Sequence, residues 1–281
     1  MKKFIVLLTI LALSGCSAKF AYNNIDWLAY WYIDDYIELT DEQEEAVDKK
    51  LLSWIAWHRN NELPQYYQHL AELSKDIQSK SMSVERMEYH QEKAADHWYR
   101  LRERIVPDLV ELSPMLTRQQ VVAMFEEIDE QNQEEKEERR EREARSDDKK
   151  KRDSIKRNKK NLTRWLGRLT SEQENLIENM YGEYHRNGEL WQQYRESYQG
   201  ELKALLLQEK RDDAFKTRLS ELLLNPEAFR SDELNQKNKE NSDTYKNFLL
   251  SVDALATEKQ REHLIDEIAE FSDDIKELMA P

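Results

Sequence analysis

Apolar residues recur along this chain at helical spacing, and the polar residues between them mark where each helix stops. Residues 20–37 read FAYNNIDWLAYWYIDDYI. Trp27, Tyr30 and Trp31 follow i, i+3, i+4 spacing, and Ile25, Leu28 and Tyr32 form a neighbouring stripe. A helix apolar on two faces belongs between other helices; its nearness to the N-terminus leaves the membrane interface as the other resting place. A helix is expected over 41–61, ended by Pro64, and a second carries Tyr66, Tyr67, Leu70, Leu73 and Ile77. A third spans 84–105 before Pro107 and Pro114, and a fourth runs through Val121, Met124, Phe125 and Ile128. From Glu130 to Lys160 almost nothing is apolar. Beyond it, one helix carries Leu176, Ile177, Met180, Tyr181 and Tyr184 and continues past Trp191 to Leu206. Shorter helices follow around Phe215–Leu223, 232–250 and 257–279. Five Gly in 281 residues leave little for tight hairpins, so strands are improbable. The expectation is an all-α fold: an elongated helical bundle of two similar helical halves joined by a long charged helix.

The start of the chain changes the picture. Lys2 and Lys3 precede an apolar run, Phe4 to Leu13, too short to span a bilayer, which needs about twenty apolar residues. It fits a secretory signal. The run closes in Leu13-Ser14-Gly15-Cys16, which resembles the lipobox of bacterial lipoproteins. That resemblance implies cleavage before Cys16, a diacylglycerol on its sulfur and a new, acylated N-terminus. Cys16 is the only Cys, so no intramolecular disulfide can form. Residue 17 is Ser and not Asp, which, by resemblance to Gram-negative lipoproteins, implies sorting to the periplasmic face of the outer membrane. The expected organisation is a signal peptide (1–15), a first helical repeat (16–130), a charged helical connector (131–165) and a second helical repeat (166–281).

Charge narrows the partners. The full chain carries a net charge of −14, which argues against nucleic acid. Glu134 to Arg145 mixes signs at helical spacing, as a solvated helix does. Lys149 to Lys160 turns basic, with eight Lys or Arg against one Asp. That stretch is either a solvated connector or a patch for phosphate-bearing partners such as lipid headgroups.

The halves also share motifs. Leu39-Thr40-x-x-Gln43, Leu116-Thr117-x-x-Gln120 and Leu169-Thr170-x-x-Gln173 repeat one pattern, and Thr257-x-x-Gln260 departs from it only in having Ala256 for Leu. The Thr–Thr spacing is 77 residues in the first half and 87 in the second. Each is a capping box, in which Thr caps the backbone N–H three residues on and Gln reaches back to the Thr N–H. Trp57-His58-Arg59-Asn60-Asn61-Glu62-Leu63 matches Tyr184-His185-Arg186-Asn187-Gly188-Glu189-Leu190. Here Arg59–Glu62 and Arg186–Glu189 are expected as i,i+3 pairs, with His58 and His185 at a helix–helix seam between the halves.

L-T-x-x-Q repeats in a helical, envelope-targeted chain resemble the Spy/CpxP family of periplasmic stress proteins. The resemblance implies a curved helical frame and ATP-independent chaperoning or sensing of unfolded periplasmic clients. A tandem chain would be a fused version of that family's dimer. The whole chain also resembles an uncharacterised family of Gram-negative lipoproteins.

Catalytic chemistry is not legible. His90 and His97 stand seven apart on one helix, where a zinc site more usually shows i,i+4 spacing and a third ligand. No nucleophile elbow or phosphate loop occurs. The expectation is no enzyme, no cofactor and no metal: a membrane-tethered binding protein for envelope proteins or unfolded clients, or else a structural scaffold of an envelope complex.

Overall fold

The computed structural model describes residues 14–279, and among these it is all-α with no strand. The N-terminal part comprises α1 (Ser14–Asn23), α2 (Ile25–Ile33), α3 (Asp41–Trp57), a π-helical turn (His58–Glu62), α4 (Leu63–Gln78), α5 (Val84–Leu112) and α6 (Arg118–Glu143). The C-terminal part comprises α7 (Asp147–Leu166), α8 (Ser171–Met180), α9 (Gly188–Leu206), α10 (Asp213–Leu224), α11 (Asp232–Ala254) and α12 (Glu258–Met279). Most starts share one device. Thr40, Ser83, Thr117, Ser146, Thr170, Asp212 and Ser231 each accept from the backbone N–H three residues on. That satisfies one of the donors a helix start leaves open.

Three boundaries differ from the sequence expectation. Pro64 does not end a helix: it sits in the first turn of α4, where its missing N–H costs nothing. Pro107 lies inside α5. It and Glu103, whose carbonyl it deprives of a donor, are both exposed, so the break lies on the solvent side while Val106 and Val110 keep the helix on the core. The charged connector is two helices, not one. Arg140 and Arg142 end α6 and Ser146, Asp147 and Asp148 start α7, so charges oppose both helix dipoles at the break.

The halves interleave. The larger core takes Val106, Val110, Val121 and Phe125 from before the break and Leu205, Leu206, Phe215, Leu219 and Leu222 from after it. A second core joins Leu166, Ile177, Met180, Phe248 and Val252. The last helix, α12, lies along α4 of the first half. The polar end of α6 is docked on α9 through Asn132–Gln199 at 2.7 Å and Glu135–Arg195 at 2.7 Å. This charged stretch is therefore part of the packed body and not a free tether.

Candidate functional site: glutamine joints, a histidine chain and a crevice

All four T-x-x-Q elements form reciprocal caps. Thr40, Thr117, Thr170 and Thr257 accept from the backbone of Gln43, Gln120, Gln173 and Gln260, whose side-chain oxygens accept from the Thr N–H. The same glutamines then pair. Gln43 and Gln120 exchange amide hydrogen bonds at 3.0 and 2.7 Å, and Gln173 and Gln260 do so at 3.0 and 2.8 Å. Gln43 also donates to the Met115 carbonyl, Gln120 to that of Glu38, and Gln260 to that of Arg168. Each half thus has a joint in which two helix starts, distant in sequence, are stapled amide to amide. Gln173 is fully buried, so its polar atoms are satisfied inside the body. Leu39, Leu116 and Leu169 are half-buried beside the joints. The recurrence of two T-x-x-Q elements in each half, 77 and 87 residues apart, is the available signal for this pairing.

The H-R-N-x-E-L elements do not share a structure. In the first half His58–Glu62 is a single π turn in a continuing rod. In the second the helix stops at Met180, and Tyr184 to Asn187 lie in a loop where Gly182 takes φ +103°. The two histidines do not meet. His58 sits between Tyr22 (2.9 Å) and Tyr66 (3.2 Å), while His185 faces Glu240 at 3.0 Å. Neither expected i,i+3 pair forms: Arg59 reaches Asn23, and Glu62, buried, holds Arg100 through two hydrogen bonds of 2.8 and 2.9 Å. Arg186 and Glu189 form no ion pair among the described residues.

The strongest unforeseen constellation lies between α4 and α5. His97 Nε2 is 3.1 Å from His69 Nδ1, and His69 Nε2 is 3.1 Å from His90 Nδ1. His90 Nε2 is 3.0 Å from Asp76 Oδ2, and Arg100 Nη2 is 2.6 Å from His97 Nδ1. Arginine only donates and an ionised carboxylate only accepts, so both ends set the direction of the chain. Arg100 donates to His97, His97 to His69, His69 to His90, and His90 to Asp76. All three imidazoles are then neutral and protonated on Nε2, and every ring nitrogen is used. Glu62 stands 3.6 Å from His97 Nδ1, outside hydrogen-bond range, so it does not compete with Arg100. An added proton would put two donors face to face. Burial chiefly, with the neighbouring imidazoles, pulls His69 from 6.5 down to about 4; burial also lowers His97 and His58. The His90/His97 spacing signals half of this chain; His69, on another helix, completes it only in three dimensions.

This seam forms one wall of an apolar crevice of about 470 Å3. Leu73 and Ile77 come from α4, Met82 and Met87 from the turn and α5, and Leu162 and Trp165 from α7; the α11 residues Phe248 and Leu249 also line it. Trp165 and Tyr245 are substantially exposed at its rim. The crevice therefore opens between pieces of both halves.

At the N-terminus, Leu13 lies outside the described residues, and Ser14, Gly15 and Cys16 enter as backbone of the first turn of α1. Lys19 pairs with Asp274 and Glu277 of α12, which hold α1 to the body. The aromatic segment is not sandwiched between helices: no residue of α2 is buried, and Phe20 and Trp27 are 66% and 61% exposed. Among the described residues no helix is long and apolar enough to cross a membrane, and no three His, Cys, Asp or Glu are placed to hold a metal ion.

This architecture defines a class: an interleaved all-α bundle with two glutamine joints. Residues 35–235 match the model of a family of unknown function, DUF6279, and the chain belongs to that family. No curated protein and no solved structure matches it.

Proposed function

We propose that this chain is a lipid-anchored periplasmic binding protein, tethered through Cys16 to the outer membrane, whose working site is the crevice between α4, α7 and α11. The carrying observation is that crevice. It is largely apolar, with Arg164 and the ion-paired Asp253 and Arg261 as the charged members of its lining, it opens at a rim of exposed Trp165 and Tyr245, and two methionines give it adaptable walls. The exposed aromatics of α1 and α2 follow the anchor position directly and suit the membrane interface, where amphipathic rings collect. The L-T-x-x-Q likeness to Spy/CpxP supports an ATP-independent envelope chaperone or stress-related adaptor within this reading.

The test uses the full chain carrying Cys16→Ser, added at stoichiometric ratio to citrate synthase unfolding at elevated temperature. Light scattering should rise more slowly, and Met87→Glu should abolish that protection. Unchanged aggregation would remove the chaperone form of the proposal. In cells, Cys16→Ser should shift the protein from the membrane to the soluble fraction with its helical circular dichroism intact. The competing reading, a scaffold of an envelope complex, rests on the exposed basic face of α7. Photocrosslinking from Lys151 or Lys156 that traps one dominant partner would favour it.

A further inference from the structure

The crevice has a charged extension. Residues lining a second cleft, of about 580 Å3, include Arg139, Arg142, Arg145, Lys150, Arg157 and Arg186, against Glu143 and Asp153. That is a local excess of positive charge in a chain whose net charge is −14. Most of it is spent internally: Arg142 lies 3.6 Å from Glu138, Arg145 3.2 Å from Asp153 and Lys150 2.8 Å from Asp147, and Arg139 donates to the Gly188 carbonyl and the Gln192 side chain. Arg157 and Arg186 make no hydrogen bond or ion pair among the described residues, and both are exposed. The cleft and the crevice are neighbours: Asn158 lines both. One face of α7 runs through them: Lys150, Ser154 and Arg157 at the basic end, Asn161, Leu162 and Trp165 at the apolar end, at three- and four-residue steps.

From this continuity we propose that the groove binds a single-chain anionic amphiphile, its carboxylate or phosphate head on Arg157 and Arg186 and its acyl chain in the apolar crevice. The proposal rests on the reading of the crevice as the binding site and names what fills it. Guanidinium groups suit either head, because both present paired oxygens to a planar fork. The apolar volume falls within the range of small-ligand sites, about 300–1,000 Å3, and its lining matches their usual make-up of apolar walls with a few placed polar groups. A free phosphate would leave the apolar end unused, and a polyanion would meet the acidic remainder of the surface.

The test is titration of the full-length Cys16→Ser chain with cis-parinarate, a fluorescent long-chain fatty acid, read by energy transfer from tryptophan. Its methyl ester, inorganic phosphate and a lysophosphatidic acid competitor form the other arms. The acid should bind and lysophosphatidic acid should displace it; phosphate alone should not. The ester, and the acid on the Arg157→Glu/Arg186→Glu variant, should each bind about tenfold more weakly, the loss of roughly one charge-assisted contact. Trp165→Phe should remove most of the energy transfer. Both arginines are exposed, so the variant should keep the parent's circular dichroism. Equal binding of acid and ester, or no effect of charge reversal, overturns the proposal. If the amphiphile fails while the chain still protects citrate synthase through Met87, this inference falls and the binding-protein reading stands. If both fail, both fall.

Discussion

In the first half, Trp57 to Leu63 passes through one π turn and the rod continues into α4; in the second, Tyr184 to Leu190 spans a loop and the start of α9. Seven matched positions give two structures. The T-x-x-Q elements, by contrast, give four equivalent caps and two equivalent joints. The difference lies in where the instructions reside. A capping box is closed within four residues, so it forms wherever it is written. The H-R-N-x-E-L element depends on distant partners. Glu62 finds Arg100, and His58 finds Tyr22 and Tyr66; Arg186 and Glu189 find no ion-pair partner among the described residues. Gly188 in place of Asn61, with Gly182 nearby at positive φ, then lets the second copy leave the helix.

That contrast can be broken or sharpened. The largest effect should come from Glu62→Ala, which strands a buried arginine contact and the donor end of the histidine chain. We expect a loss of about 2–3 kcal/mol in urea unfolding, below the full range for buried pairs because Arg100 is partly exposed. A loss no larger than that of Glu189→Ala would erase the distinction between the copies.

Next come the joints. Gln43→Ala and Gln173→Ala should each cost about 2 kcal/mol, since each leaves a cap unmade and a partner amide unsatisfied. A double-mutant cycle between Gln43 and Gln120 should show a coupling of about 1 kcal/mol. Independent, additive effects would mean that the amides pair without energetic consequence.

The histidine chain should make stability depend on pH. In the folded chain His69 titrates near 4 instead of 6.5, so as pH falls the unfolded chain takes up its proton first. Stability is then complete above pH 6.5 and declines as pH falls toward 4, with His97 and His58 adding the same sign. Asp76 is lowered as well, and its loss lies below the usual carboxylate value of 3.8, outside this window. His69 is only half-buried, so its share is about 1–2 kcal/mol after discounting for solvent. Thermal midpoints of the parent and of His69→Gln should converge as pH falls; parallel curves would remove the chain from the account.

Smaller again, Gly182→Ala should cost about 1 kcal/mol through backbone strain alone, because a Cβ there would meet nothing within 4 Å. Arg186→Ala should leave the unfolding midpoint unchanged.

Much of the fold is written locally. Thr40, Thr117, Thr170 and Thr257 declare their helix starts, and apolar spacing places Val121, Phe125 and Ile177 on the core. What could not be read is what two separated segments do together. The glutamine pairing needs helix starts 77 and 87 residues apart to face each other. His69 meets His90 and His97 across a turn, and the crevice needs α4, α7 and α11 assembled. The loop at 181–187 carried a visible signal in Gly182 and Gly188, two of only five glycines. The aromatic segment misled because its composition suits full burial, whereas Phe20, Trp27 and Tyr32 stay exposed and Tyr22, Tyr30, Trp31 and Tyr36 are only half-buried, lying along the body and not between helices.

The central claim is that the binding site is the crevice between the halves. A photoreactive amino acid placed at Trp165, on its rim, should crosslink a ligand or client in intact cells, while the same residue at Tyr67, exposed on α4 but not lining the crevice, should not. Crosslinking at Tyr67 with none at Trp165 would contradict the account.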